Sequence, residues 1–306
     1  MTSSKETSYI DRESKKLKVE KVYGKWFLDL IYKNPLGKNL RFLFTNKFFS
    51  YLYGKIQDLP LSKAKYENFI KTFDIEMSDF NLDRPNNEVP YKTFNDFFIR
   101  SFKQGKRTFP KEFHSFPAFS EGRYLIHHEL NDTLTFPLKG IYLDPKSILG
   151  HDNPWTQHFD GGSLIISRLC PVDYHRFHFP DDGKLIKSYR VKGELQSVNP
   201  TGQKYNQKLY FKNERQINLL ETKHFGKIAF IEVGAICVGK IIQAKKKNAN
   251  FKKGEEKGHF LFGASSILVF SEKGKILFDS DILENTKAQK ETFIKLGTKI
   301  GSSPPP

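Results

Sequence analysis

Serine and histidine side chains in two short stretches could do chemistry. The first stretch, residues 253–270, reads KGEEKGHFLFGASSILVF and sets Ser265 and Ser266 between an aromatic run and an apolar run. Small residues between two strand-like runs let one backbone approach another group closely. The Ser265 hydroxyl could then attack the adjacent carbonyl, that of Ala264. An ordinary Gly-Ala-Ser-Ser bend in a strand is the alternative interpretation of the same residues.

Two histidines three residues apart mark the second stretch, residues 168–180, which reads RLCPVDYHRFHFP. Three interpretations are open for His175 and His178: a metal site, two structural histidines, or a general base for the serine of the first stretch. A zinc site needs three or four ligands, and only Cys170 and Asp173 are near, so a metal site is disfavoured. A histidine beside a serine is a recurrent catalytic pair, but spacing along the chain does not show that the two meet.

The elements that carry these stretches belong to a β-rich body. From about residue 116 the chain breaks into short β-branched and aromatic runs separated by Gly, Asn and Asp, which is typical of antiparallel strands. The predicted strands are Thr133–Leu138, Ser163–Arg168, Lys184–Val191, Lys227–Val233, Ile236–Gln243, Ile267–Phe270 and Lys275–Phe278, with a turn at Ser271–Gly274 closing the last hairpin. We therefore expect a largely antiparallel β catalytic domain over residues 104–306.

The first hundred residues follow a different pattern. Residues 1–21 are charged and are expected to be mobile, and residues 22–103 are expected to be mainly helical. Two amphipathic stretches, separated by Asn34–Gly37, each gather aromatic and aliphatic side chains on one helical face. These are Tyr23, Trp26, Phe27, Leu30 and Ile31 in the first stretch and Phe44, Phe48, Tyr51 and Leu52 in the second. Such faces suit a bilayer interface, and packing on the core is the alternative. The predicted fold class is α+β.

Composition limits the partners and the compartment. The 306-residue chain has a formal charge of +16, which favours nucleic acid, a membrane surface or an acidic ligand as partner. No RNA- or DNA-binding motif is present, so nucleic acid is not expected, and no apolar run approaches the ~18 residues of a membrane span. Cys170 and Cys237 make no disulfide framework, and no secretory leader is seen. We expect a peripheral membrane protein that faces a reducing compartment.

The two chemical stretches together resemble the phosphatidylserine decarboxylase family. That family carries a block close to RLAPxDYHRFHxP and, some eighty to ninety residues later, KGEExGxFxFGGSTVxLLF. Further blocks resemble the family in order: Phe94–Arg100 (its FxxFFxR), Leu138–Gly140 with Ser147–Gly150 (its KG…LLG), Asn213–Arg215 (its NER) and Glu232–Gly239 (its VGA…VG). The resemblance covers about residues 90–280, and several ordered blocks are far more specific than one short motif.

The resemblance implies a proenzyme that cuts its own backbone between Ala264 and Ser265. Ser265 would become a pyruvoyl group at the head of chain 265–306, and chain 1–264 would stay as its partner. The pyruvoyl carbonyl would take up the amine of phosphatidylserine and act as an electron sink while CO2 departs, which gives phosphatidylethanolamine. The implied partners are phosphatidylserine and an anionic membrane surface, and a homodimer stays open.

The resemblance also assigns roles to three other side chains and shows two departures. His178 would remove the Ser265 proton, an acidic residue would orient His178, and His175 would assist at the substrate. The family's PADGR-like segment reads FSEGR here, so Glu121 stands where the family has Asp, on a longer arm. Ala264 stands where the family has Gly, and a positive φ there would cost alanine about 1 kcal/mol. Neither change removes a reacting atom.

Two functions of other classes compete with this interpretation. A non-catalytic relative could keep the fold and bind lipid without cleaving itself. A decarboxylase of a soluble amino acid is the other alternative, and the aromatic N-terminal helices argue against it.

Overall fold

A ten-stranded sheet forms the centre of the molecule. It is seen in a computed structural model that describes residues 7–34, 37, 44, 47–81, 91–130, 145–150, 153–198, 209–235, 240–263 and 265–305. The strand order is β11-β7-β8-β9-β13-β5-β4-β15-β1-β2, and two three-stranded sheets, β10-β12-β6 and β14-β16-β3, accompany it. Among the strands of the described residues, every pairing is antiparallel except that of β1 with β15. The predicted α+β class with a largely antiparallel body is confirmed.

The strands of the described ranges are short. They are β1 (Ser8–Asp11), β2 (Lys16–Val19), β3 (Ser115–Pro117), β4 (Gly122–His127), β5 (Ser163–Leu169), β6 (Arg176–His178), β7 (Gly183–Val191), β8 (Arg215–Thr222), β9 (Lys227–Val233), β10 (Ile241–Gln243), β11 (Asn250–Phe251), β12 (Glu256–Phe260), β13 (Ser265–Ser271), β14 (Leu277–Phe278), β15 (Glu291–Ile294) and β16 (Lys299–Ser302). Three predicted strands, Ser163–Arg168, Lys184–Val191 and Lys227–Val233, agree with β5, β7 and β9 within one residue at each end. The predicted strand Thr133–Leu138 lies outside the described residues.

The helices lie mainly before the sheet in the chain. They are α1 (Lys25–Lys33), α2 (Lys47–Gln57), α3 (Lys63–Phe73), α4 (Phe94–Phe98), α5 (Pro145–Leu149), α6 (Leu209–Lys212) and α7 (Ser280–Lys287), with 3₁₀ turns at Pro60–Ser62 and Thr156–Phe159. Helix α1 ends directly before the predicted break at Asn34. In the described ranges, no helix combines the length and the apolar character that crossing a membrane requires.

Strand β13 is the central element of the main sheet because it pairs with β9 on one side and β5 on the other. All of its residues are buried, and its apolar run packs in the main core. The predicted hairpin between Ile267–Phe270 and Lys275–Phe278 is wrong, because β13 already has a partner strand on each edge. Both edges of β13 are already occupied, so the chain turns after it and β14 pairs with β16 in a different sheet.

The N-terminal segment differs from the expected mobile tail. Residues 8–19 form the hairpin β1–β2, and β1 lies against β15, near the other end of the chain. The side chains of β2 are exposed, so hydropathy carries no signal for this strand. The hairpin is held by a partner some 280 residues away in sequence, which local patterns do not reveal.

Aromatic side chains join the helical region to the sheet at Phe262, just before the serine of the first stretch. The buried members of this cluster are Tyr66, Phe69, Tyr91, Phe94, Phe97, Phe98 and Phe262. Tyr23 and Tyr53 also place their rings 5.8 Å and 5.7 Å from the Phe262 ring. The Phe262 amide donates to the Asn95 side chain at 2.9 Å. Tyr23, which precedes α1, therefore meets α2 and α4 over the segment that leads into β13.

Candidate active site

Ser265 is the first residue of β13, opposite Leu169 of β5. Its side chain is fully buried, and its Oγ has no hydrogen-bond partner among the described residues. Two residues earlier, Gly263 has a φ of 139°, a conformation that L side chains rarely adopt, so glycine is needed at this position. A buried hydroxyl without a partner is costly and needs an explanation.

His175 lies close to this segment because the β5–β6 connection folds back from Leu169. The backbone carbonyl of His175 accepts from the amide of Phe260 at 2.9 Å, and the ring lies 3.8 Å from that of Phe98. His175 Nδ1 lies 3.0 Å from the Asp173 carbonyl. A carbonyl only accepts, so Nδ1 carries the proton and Nε2 keeps a lone pair.

The His175 ring is neutral. Burial, followed by the charge of Arg100, lowers the pKa of His175 to about 3, although the carbonyls of Asp173 and Gly263 act in the opposite direction. Its Nε2 is buried and has no partner among the described residues. The site thus combines an unpartnered hydroxyl on β13 with an unpartnered imidazole nitrogen of His175. The His175 ring lies close enough to the Gly263 carbonyl for that carbonyl to act on its pKa.

Arg100 holds the turn that carries His175. Its Nη2 donates to the carbonyls of Val172 at 2.8 Å and Asp173 at 3.1 Å. The guanidinium lies over the rings of Phe80 and Phe97, at 4.5 Å and 4.8 Å from their centroids. Burial lowers the pKa of Arg100 to about 10, so the group is still a cation at neutral pH. In the sequence, Arg100 is notable only as the last residue of the family-like block Phe94–Arg100.

His178 lies at the other end of β6, opposite Glu256. Three residues along a strand span about 10 Å, so the two histidines face different surroundings. His178 Nδ1 donates to the Gly254 carbonyl at 2.8 Å, and the Tyr174 hydroxyl donates to Nε2 at 3.1 Å. Burial lowers the pKa of His178. Both ring nitrogens are engaged, and His178 makes no bond to the serine of β13.

Glu121 is not in contact with His178 in the described part of the chain. Its two oxygens accept from Arg107 at 2.6 Å and 3.0 Å, and Oε2 also accepts from the amide of Leu296 at 3.1 Å. The segment around Glu121 does reach His178 through the backbone, because the His178 amide donates to the Phe119 carbonyl at 2.8 Å. The structure therefore brings His175 to the segment 260–263 that leads into Ser265, and it holds Glu121 and His178 in separate hydrogen bonds.

A buried ionic cluster beside the site was missed by sequence reasoning. Arg168, opposite Ser266 on β5, binds Glu20 with Nη2–Oε2 at 2.7 Å and Glu291 with Nε–Oε1 at 2.8 Å. Arg123 binds Glu20 at 2.8 Å and also pairs with Asp173. Burial opposes ionisation of Glu20, yet Arg168 and Arg123 outweigh it and lower the pKa of Glu20 to about 2. The members of this cluster lie in four segments that are far apart in sequence, so no short motif predicts them.

Within the described ranges, no three His, Cys, Asp or Glu side chains are grouped in a way that could hold a metal ion. Asp173 is engaged by Arg123 and by the Cys170 amide. Burial raises the pKa of the Cys170 thiol well above its usual range, so Cys170 is not a thiolate.

Comparison with known proteins agrees with these features. The family model described as phosphatidylserine decarboxylase matches residues 94–302. A phosphatidylserine decarboxylase proenzyme of Fusobacterium nucleatum is 37% identical over 295 residues, which cover 96% of this chain and 97% of that protein. A proenzyme of the same name from Clostridium perfringens is 38% identical over 294 residues, or 95% and 98% of the two chains. The match thus extends over nearly the whole chain, and the protein belongs to the phosphatidylserine decarboxylase family of carboxy-lyases.

Proposed function

We propose that the chain is a proenzyme that cleaves itself between Ala264 and Ser265 and then decarboxylates phosphatidylserine to phosphatidylethanolamine. The observation that carries this proposal is the buried, unpartnered Ser265 hydroxyl at the head of the central strand. A buried serine hydroxyl usually has a hydrogen-bond partner, and neither Ser265 nor Ser266 has one among the described residues; of the two, only Ser265 directly follows Ala264. The proenzyme names of the relatives support the same function.

The cleavage begins with attack of Ser265 Oγ on the Ala264 carbonyl carbon. The hydroxyl proton passes to a base, the carbon–nitrogen bond breaks, and the Ser265 nitrogen takes up a proton, which leaves an ester in place of the amide. Elimination across the Ser265 side chain then frees the carboxylate of chain 1–264. Hydrolysis releases ammonia and leaves a pyruvoyl group on residue 265.

The residues present fit that group. Residue 265 is enclosed at the start of a buried strand, and the Gly263 carbonyl lies close enough to His175 to act on its pKa. When present, the pyruvoyl group supplies an electron-withdrawing carbonyl that the serine side chain lacks. His175, with a protonated Nδ1 and a free Nε2, is placed to accept or return a proton at a substrate held there.

His178 is proposed as the base of the cleavage step, as the family resemblance implies. In the conformation described, Nε2 of His178 would first have to leave the Tyr174 hydroxyl. Glu121 would likewise have to exchange Arg107 for His178 to orient it. Both roles therefore require a rearrangement around β6 before cleavage.

The N-terminal helices are proposed to lie on an anionic membrane surface. Their exposed side chains include unusually large apolar groups, with Trp26 and Phe48 each 74% exposed. The other exposed large apolar side chains of this region are Leu30, Tyr51, Leu52, Ile56, Leu59 and Leu61. So many exposed large apolar side chains within residues 26–61 suit a contact surface, and the charge of +16 suits anionic lipid. We infer peripheral binding on the side of a reducing compartment.

A non-catalytic lipid-binding relative is the second candidate. The bonds that engage His178 and Glu121 favour it, because a chain locked in them would not cleave. The exposed apolar helices, by contrast, speak against a soluble amino acid as substrate.

An assay with phosphatidylserine vesicles tests the activity. The purified protein should release CO2 and form phosphatidylethanolamine in equal amounts, and free serine at the same concentration should give neither product. Lipid binding without CO2 would favour the non-catalytic candidate, and CO2 from free serine alone would overturn the lipid assignment.

A further inference from the structure

The N-terminal hairpin contacts mainly residues that follow the proposed cleavage site. Strand β1 runs parallel to β15, with Tyr9 opposite Glu291 and Asp11 opposite Phe293. The Arg12 amide extends the ladder by donating to the Phe293 carbonyl at 3.1 Å. Strand β15 pairs with β4 on its other side, so the hairpin covers what would be an open sheet edge.

The Arg12 side chain fastens this contact. Its Nε and Nη2 form a fork on Asp281, at 2.8 Å and 3.0 Å, and Nη2 also donates to Asp279 at 2.7 Å. Its Nη1 donates to the Lys299 carbonyl at 2.5 Å. All three acceptors lie beyond residue 265. A bidentate guanidinium–carboxylate pair is stronger and more specific than a single-point pair, and the Arg12 side chain is only 17% exposed although that of Asp281 is 49% exposed.

Glu20 fastens the other end of the hairpin. It binds Arg168, and Arg168 also binds Glu291 of β15 through Nε at 2.8 Å and Nη2 at 2.5 Å. A single guanidinium therefore ties the hairpin to β15. Hydrophobic contact adds to these bonds, since the rings of Tyr9 and Phe293 lie 5.9 Å apart.

We propose that residues 8–20 are a clamp for the C-terminal chain 265–306. In the uncut protein, β15 is tethered through the backbone at residue 264, so a lost contact re-forms easily. After cleavage that tether is gone, and non-covalent contacts alone keep the C-terminal chain in place. The clamp should then matter more in the two-chain protein than in the single chain. The prediction for the two-chain protein rests on the proposed function, whereas the hold of the hairpin on β15 in the uncut chain does not.

Hydrogen exchange in the uncut Ser265→Ala protein tests the clamp without any cleavage. Adding Arg12→Ala should speed exchange of the β15 amides, residues 291–294, by about tenfold and leave central β13 unchanged. Lys16→Ala, an exposed change on β2, is the matched control and should change β15 by less than twofold. Arg12→Lys, which keeps the charge but not the fork, should fall between them. Equal exchange in Arg12→Ala and Lys16→Ala would overturn the clamp.

The two-chain protein tests the consequence after cleavage. In moderate urea, Arg12→Ala should release chain 265–306 about tenfold faster than the unsubstituted protein or Lys16→Ala, as followed by size exclusion and mass. Unchanged release would contradict the clamp. If the unsubstituted protein stays uncut, the proposed function fails, and the exchange result still decides the clamp.

Discussion

The Asp173 carbonyl determines which nitrogen of His175 is available to react. It accepts from His175 Nδ1 and from Arg100 Nη2, so Nε2 carries a lone pair and is left without a partner among the described residues. The Arg100 cation and burial then keep the ring neutral at physiological pH. The carboxyl group of Asp173 pairs with Arg123 in the ionic cluster, whereas its backbone carbonyl accepts from His175.

The two histidines should have separable effects. His178→Ala should accumulate the uncut chain, because the proposed base of cleavage is lost. His175→Ala should cut at least in part and yet form little phosphatidylethanolamine. Denaturing gels and a lipid assay of the two variants measure these steps independently. The opposite pair of phenotypes would assign the cleavage base to His175.

The buried neutral His175 should also make stability depend on pH. The pKa of His175 is about 3 in the folded chain and near 6.5 when unfolded, so protonation below pH 6.5 favours the unfolded state. The free energy of unfolding should therefore fall as pH drops from 7 to 5, by about 2 kcal/mol from this one group. Urea unfolding of Ser265→Ala at both pH values measures it.

The matched comparison is Ser265→Ala with His175→Gln. This variant keeps His127 and His178, whose pKa values are also lowered by burial, so the difference between the two proteins isolates His175. Its loss of stability between pH 7 and pH 5 should be smaller by about 2 kcal/mol. An identical pH dependence in the two proteins would mean that His175 is not neutral in the folded chain.

At the level of elements, the helices with exposed aromatic faces carry the membrane prediction. Trp26→Ala together with Phe48→Ala should weaken binding to vesicles that contain anionic lipid by at least tenfold. Each large apolar side chain contributes roughly 1.5–3 kcal/mol when buried, and both are exposed in the protein alone. Co-sedimentation at low and high salt measures the affinity, and added salt should weaken it.

Phe113→Ala is the control for that experiment. Phe113 is also an exposed aromatic residue, but it lies in the β body just before β3. Its loss should leave vesicle binding within twofold of the unsubstituted protein. If Phe113→Ala weakens binding and the helix variant does not, the membrane contact lies on the β body.

Sequence patterns predicted those elements whose signal is local. The apolar runs of β5, β9 and β13 and the helical periodicity of α1 are visible in the residues themselves. The hairpin β1–β2 is not, because it is held by Arg12, whose partners lie near the far end of the chain, and by Glu20, whose partner Arg168 lies near the middle. The pairing of β14 was missed for a similar reason, since it depends on β13 having no free edge.

The candidate site was predictable in part. The serine, the two histidines and their order came from the chemistry of the motifs and the family resemblance. The different surroundings of His175, beside Phe260 and Gly263, and of His178, beside Gly254 and Glu256, depend on the register of β6 against β12, which no residue pattern encodes. The partners of Glu121 are Arg107 and Leu296, which lie 14 and 175 residues away in sequence.

For the whole molecule, the main sheet explains how a cut chain could stay assembled. Strands β13 and β15 both lie beyond residue 264, and each has neighbours from the preceding chain on both sides. Strand β13 lies between β9 and β5, and β15 lies between β4 and β1. Cleavage before Ser265 would therefore leave chain 265–306 held within the sheet, with its new terminus buried at the start of β13.

Intact mass of the purified protein, beside Ser265→Ala and Ser266→Ala, tests the central claim most directly. We expect two chains from the unsubstituted protein and from Ser266→Ala, the first ending at Ala264 and the second beginning at residue 265. In the unsubstituted protein, the second chain should be lighter than its sequence by one ammonia, as a pyruvoyl group requires. Ser265→Ala should give one chain of full length. An uncut native protein, a cut Ser265→Ala variant, or a second chain beginning at residue 266 would contradict self-cleavage at Ser265.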